Sequence, residues 1–141
     1  MAAAATGTDW PAFRGPTGNG VALEDKAPLH WGPAKNVRWK VRLPGPGNRS
    51  PIVSRGRVFI TCAQDKGTRR NLYCLDRRTG RELWVRTVEF PAVEPTHRSN
   101  PYCASPPGAD GERVVVWHGS AGVYCYDFEG RELWKKGLGE M

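Results

Sequence analysis

Three histidines, four cysteines and two strand-ending aspartates are the residues of this chain best suited to chemistry. His30, His97 and His118 lie far apart, and no pair has the short spacing that sets two imidazoles on one metal ion. They read as surface or capping side chains. Cys62, Cys74, Cys103 and Cys125 contain no Cys-x-x-Cys step, so the spacing encodes neither a zinc knuckle nor a dithiol redox site. Cys74 and Cys125 each stand beside a Tyr and two residues before an Asp. Small apolar slots of that kind inside packed strands are expected to hold buried free thiols. A disulfide between the two would need Cα atoms within about 7 Å, closer than face-to-face sheets about 10 Å apart place them. Ser105 and Ser120 lack the strand-turn-helix setting of a nucleophile elbow, so acyl transfer has no support. No catalytic, cofactor-binding or metal-binding residue is assigned.

The aspartates, Asp76 and Asp127, lead to a different kind of motif. Each closes a short apolar run, Tyr73-Cys74-Leu75 and Tyr124-Cys125-Tyr126, and each is soon followed by Gly-Arg-Glu-Leu-Trp, at Gly80 to Trp84 and Gly130 to Trp134. Self-similarity at a period of about 50 residues is the signature of a repeat architecture, in which one supersecondary unit stacks on the next.

The elements that must carry this motif are short strands. Seventeen Gly and twelve Pro break the chain into apolar runs of a few residues, the pattern of an all-β fold with many turns. The first unit predicts strands at Pro51 to Ser54, Arg57 to Cys62, Asn71 to Asp76 and Arg81 to Arg86. The second predicts strands at Glu112 to His118, Val123 to Asp127 and Arg131 to Lys136, with Asp110-Gly111 as a two-residue hairpin turn. The second strand of each unit is almost continuously apolar, as a strand covered on both faces should be. Four-stranded antiparallel sheets covered on both faces and repeated are the blades of a β-propeller. Val37 to Val41, with Trp39 in the place of Trp84 and Trp134, reads as the last strand of a preceding blade.

Net charge is +7, with arginines spread over turns and strand ends and one dense pair, Arg69-Arg70. This is expected to be a solvated face, with no nucleic-acid role. No stretch approaches the roughly 18 apolar residues of a membrane span. Met1 to Ala5 lack the basic and apolar regions of a working signal peptide. A periplasmic or otherwise exported location is expected if such a peptide is missing from the start, a cytoplasmic one if Met1 is genuine.

At these residues the chain resembles the pyrroloquinoline-quinone-like, or quinoprotein-type, propeller repeat. The residues carrying the resemblance are Ser50-Pro51, Gly56, Val58 to Ile60, Tyr73 to Asp76, Thr79-Gly80 and Trp84. The second copy is Ser105-Pro106, Gly111, Val114 to Val116, Tyr124 to Asp127, Gly130 and Trp134. Trp10-Pro11-Ala12-Phe13-Arg14-Gly15-Pro16 resembles the start of large exported bacterial propeller proteins of this type, and the same repeat builds an outer-membrane assembly lipoprotein. The resemblance implies that the tryptophans dock one blade on the next and that Asp with Thr-Gly closes the last hairpin. Thr79 has no counterpart in the second copy, whose first strand, Ser105 to Ala109, carries two prolines and a glycine unsuited to pairing.

The expected fold is all-β, a partial β-propeller of about two four-stranded antiparallel blades plus one strand of a third. Residues 1–36 form an extended Pro/Gly-rich lead-in. Residues 37–88 hold the last strand of a preceding blade and the first full blade, 89–104 a long surface link, and 105–141 the second blade. The structural blade-docking and turn residues are Trp39, Asp76, Gly80, Trp84, Asp127, Gly130 and Trp134. Thr96 to Asn100 has the mixed polar character of a ligand-facing loop. Since every motif residue has a turn or packing role, the expected function is a non-catalytic binding or assembly scaffold, a fragment of a longer quinoprotein-like propeller, without cofactor and not an enzyme. Its partners would be a protein, further propeller blades or copies of itself. The alternative is part of a quinone-dependent alcohol or sugar dehydrogenase.

Overall fold

The computed structural model describes residues 9–22, 27–97, 99–100 and 102–139. The start at Met1 to Ala5, and Arg98 of the polar loop, lie outside them.

Two four-stranded antiparallel sheets follow one another. The first is β1 (Ile52–Ser54), β2 (Arg57–Gln64), β3 (Arg69–Asp76) and β4 (Glu82–Glu89). The second is β5 (Gly108–Ala109), β6 (Arg113–Trp117), β7 (Val123–Asp127) and β8 (Glu132–Lys136). Each sheet pairs strands in chain order, as a meander does. Their registers coincide. Arg57 faces Asp76 and Cys74 faces Trp84 in the first sheet; Arg113 faces Asp127 and Cys125 faces Trp134 in the second. A bulge follows each of these cysteines, at Cys74/Leu75 and Cys125/Tyr126.

Local chemistry sets the turns. Arg55 and Gly56 both have positive φ, 45° and 75°, the two-residue turn whose twist suits a tight hairpin. In the second blade the corner residues are Gly111 and Glu112, one place later than the expected Asp110-Gly111, because Asp110 N–H donates to Arg113 O. The Asp110 side chain is used as a cap, accepting from the backbone of Glu112 and Arg113. Strand β5 is two residues long: Pro106 and Pro107 contribute no ladder donor, and pairing begins at Gly108.

Each sheet has a forward and a backward face. The forward face of the first blade, Ile52, Phe59, Leu72, Cys74 and Trp84, packs on the backward face of the second, Val114, Val116, Tyr126 and Phe128, as one continuous core. Phe59 lies 5.0 Å from Phe128, edge to face. Burial of side chains this size stabilises by roughly 1.5–3 kcal/mol each. The backward face of the first blade, Val58, Cys62, Tyr73 and Leu75, is covered by Trp39 and Leu43 of the segment before β1.

Four features differ from the sequence expectation. Residues 37–41 form no strand, since no neighbouring strand among the described residues pairs with them. The link 89–104 is tied down instead of wandering over the surface, because Arg70 is buried and bonds Glu94. Arg70 is therefore not part of a solvated face. His118 is fully buried, not at the surface, since the link covers the end of β6.

Candidate functional site

Trp39 and Trp84 make the same contact one blade apart. The Trp39 Nε1–H donates to Arg77 O at 2.8 Å, and its ring lies where a Cβ on Gly80 would come within 2.6 Å. The Trp84 Nε1–H donates to Phe128 O at 2.8 Å, and a Cβ on Gly130 would come within 2.8 Å of its ring. In both cases the accepting carbonyl belongs to the residue after the aspartate, and the glycine has positive φ, 74° and 84°.

The aspartates hold these turns in shape. Asp76 Oδ1 accepts from the backbone of Arg78 and Thr79 and from the Thr79 hydroxyl. The Thr79 bonds hold its carboxyl below the usual carboxylate range. In the second turn, where that threonine is missing, Asp127 accepts from the backbone of Glu129 and Arg131 and from Arg131 Nε at 2.6 Å. Arg131 takes over the role of the hydroxyl.

Trp134 occupies the place of Trp84 on a face that no described strand covers. It is 46% exposed, with Val115 at 36% and Trp117 at 41%; Trp84 by contrast is 8% exposed. Gly108 and Val115 stand in register where the first blade has Ile52 and Phe59. The lost volume leaves a cleft of about 480 Å³ lined by Ala12, Gly108, Val115, Cys125 and Trp134.

A polar knot closes the opposite end of the blades. Arg70 donates to Gly67 O, His118 O and the Glu94 carboxylate, and its guanidinium lies 4.9 Å from the Phe90 ring. Burial first, and the Arg70 charge second, push the His118 imidazole down to about 4. Among the described residues its Nε2 has no partner, and Cys103 Sγ lies 3.9 Å from Nδ1. The sequence signal for this knot was weak: Arg70 and Glu94 look like ordinary surface charges, and the segments they join are far apart in the chain.

The four cysteines are buried free thiols, and burial raises Cys74 and Cys103 to about 11. His30 and His97 are exposed, the latter bonded to Ser99 in its own loop. Among the described residues no three His, Cys, Asp or Glu side chains converge on a point where a metal ion could sit. What the arrangement offers is a surface, built from a tryptophan, a cleft and an apolar sheet face.

Stacked four-stranded blades locked by tryptophans on the next hairpin define a β-propeller of the pyrroloquinoline-quinone-like repeat class. Residues 21–102 and 68–141 both match the family described as outer membrane protein assembly factor BamB, and the chain belongs to that family. Among solved structures, BamB from Moraxella catarrhalis is similar with a TM-score of 0.50 and 19% identity, over 71% of this chain and 26% of that one. A europium-containing methanol dehydrogenase is similar with a TM-score of 0.52 and 18% identity, over 73% of this chain and 19% of that one. At these identities the likeness is one of fold, and the chain spans well under two thirds of either protein. No curated protein matches the chain.

Proposed function

We propose that this chain is a two-blade segment of a non-catalytic β-propeller scaffold whose open face at Val115, Trp117 and Trp134 seats a further blade or a protein partner. The observation that carries this reading is the repeated lock of Trp39 on Gly80 and Trp84 on Gly130, with Trp134 presenting the same donor and ring to solvent. Exposed apolar patches of this kind mark interaction sites. The family description, an assembly factor, supports a partner-binding role and with it an exported, periplasmic setting.

The dehydrogenase reading has less behind it. Asp76 and Asp127 cap hairpin turns with their side chains. The first strands, β1 and β5, meet across the blade interface, and the lead-in straps both: Trp10 exchanges backbone bonds with Val53, and Pro11 O accepts from Ala109. The axial edges are thus occupied by the chain itself.

Solution mass and turnover test the proposal together. Association of the purified chain should weaken on Trp134→Asp, with no shift in the unfolding midpoint measured at dilutions where both proteins are monomeric. A folded, monomeric chain that oxidises an alcohol or sugar when given pyrroloquinoline quinone and Ca²⁺ would sink the scaffold reading.

A further inference from the structure

Between Ala27 and Gln64 stand seven Lys and Arg and no Asp or Glu; the other fourteen cations match the chain's fourteen acids, so this stretch holds the whole net charge. The fold concentrates it further. Because Trp39 sits on Gly80 and bonds Arg77 O, the segment carrying Arg38, Lys40 and Arg42 lies along the β3–β4 turn, which adds Arg78 and Arg81. All five are exposed, and among the described residues none is within ion-pair distance of an acid. Asp76, the carboxylate in that turn, accepts the turn's own donors through Oδ1 and makes no ion pair with these cations.

At one end of this strip is a compact turn. Gly32 and Lys35 exchange backbone bonds of 3.0 Å in both directions, and Asn36, at φ 57°, donates from its side chain to His30 O. The turn presents Leu29 and Trp31 outward, 88% and 73% exposed. Val37 and Val41, also exposed, alternate with the cations. An apolar tip containing Trp, backed by unpaired Lys and Arg, fits a lipid interface: indole and leucine partition at the headgroup level, and the cations meet anionic headgroups.

We infer that residues 29–42, together with the Arg77 to Arg81 turn, form a peripheral docking surface for an anionic lipid bilayer. Leu29 and Trp31 enter the interface, and Arg38, Lys40, Arg42, Arg78 and Arg81 contact the headgroups. Single-stranded nucleic acid could stack on Trp31 but offers nothing to Leu29, and an acidic polypeptide would need a pocket enclosing both; a bilayer interface takes Leu29, Trp31 and the cations together. That tip decides for lipid.

The experiment is co-sedimentation of the whole chain with phosphatidylcholine vesicles, with and without phosphatidylglycerol. Binding is expected to the mixed vesicles, to be lost in Arg38→Glu/Lys40→Glu, and to fall about tenfold in Leu29→Ser/Trp31→Ser. Both variants change exposed side chains, so an unchanged far-UV spectrum and unfolding midpoint verify that they fold. Equal sedimentation with pure phosphatidylcholine, or full binding by the Leu29→Ser/Trp31→Ser variant, overturns the inference. So does binding to polyglutamate or single-stranded DNA that is stronger than binding to the mixed vesicles, whether or not the tip contributes to it.

Discussion

The indole of Trp84 rests on Gly130, and its Nε1–H reaches the carbonyl of Phe128, two residues before that glycine. Two requirements are met at once: a position without Cβ so that the ring can approach, and a carbonyl turned outward to receive the donor. The aspartate-capped turn supplies both, because Gly130 N–H is spent on Asp127 O and the turn backbone is held by the Asp127 side chain. Trp39, Gly80 and Arg77 repeat the arrangement. Gly-Arg-Glu-Leu-Trp is therefore half of two different contacts: its glycine receives the previous blade's tryptophan, and its own tryptophan reaches forward.

Gly80, Gly130 and Gly56 separate backbone strain from ring contact. All three have positive φ, but a Cβ on Gly56 meets nothing within 4 Å while those on Gly80 and Gly130 enter an indole. Gly56→Ala should cost about 1–2 kcal/mol, the left-handed penalty alone. Gly130→Ala should cost about 3 kcal/mol or more, because Trp84 must also move. Urea unfolding of the three alanine variants gives the comparison; equal losses would show that the ring contact contributes nothing.

The tryptophans should differ as sharply. Trp84→Phe keeps most of the apolar volume and removes one of the two donors to the Phe128 carbonyl, leaving the Arg57 guanidinium in place, a loss of about 0.5–1.5 kcal/mol. Trp84→Ala adds a cavity, for a total of about 3–5 kcal/mol. Trp134→Ala, on the open face, should stay within about 0.5 kcal/mol for the isolated chain. Denaturant midpoints read all three, and a Trp134→Ala loss as large as that of Trp84→Ala would mean that its face is already covered.

Much of this fold was legible in the sequence because the information was local. Asp-Gly and Thr-Gly turns, period-two strands and a repeated tryptophan each act over a few residues, so the blades and their order could be read from Ser50 onward. The continuous apolar run in β6 announced two covered faces, yet Val115 and Trp117 are open; the sequence records what a strand is built to meet, not whether the neighbour lies in the same chain. The knot around Arg70 was invisible for another reason. Arg70, Glu94 and His118 come from three separate segments, and no spacing rule links them. In the same way the acid-free stretch before Asp65 was diluted by an arginine content that looked evenly scattered.

His118 gives the chain a pH dependence with a definite sign. Buried beside Arg70, Cys103 and the Tyr124 ring, its imidazole is lowered from 6.5 to about 4. The unfolded chain then binds a proton that the folded one refuses, so stability is full above about pH 6.5 and falls as pH drops toward 4. The loss is on the order of 3 kcal/mol. His118→Phe should abolish the slope between about pH 6.5 and 5, above the range where the hydrogen-bonded carboxylates begin to titrate, with little lost bonding, since among the described residues Nε2 has no partner to forfeit. Unfolding free energies at several pH values decide it; an unchanged slope in His118→Phe would assign the titration elsewhere.

Arg70 and Glu94 make the sharpest case for an interaction whose loss exceeds its net worth. The Arg70 side chain is 3% exposed and its partner's 25%, and the guanidinium also serves Gly67 O and His118 O. Glu94→Gln removes a charge from the wetter end and leaves the amide able to accept, so about 1–2 kcal/mol is expected. Arg70→Met removes a donor from Gly67 O, from His118 O, which keeps only the Ala121 N–H, and from the Glu94 carboxylate together, and about 3–5 kcal/mol should go. Tyr102, whose hydroxyl donates to Glu94 O, would then hold the link with no anchor beneath it. Amide exchange should accordingly quicken across residues 94–103 in Arg70→Met before it does in β2 or β3, because the ladders of the blade do not depend on this side chain. Uniform quickening through the first sheet would instead mean that Arg70 supports the blade itself, not the strap that crosses its end.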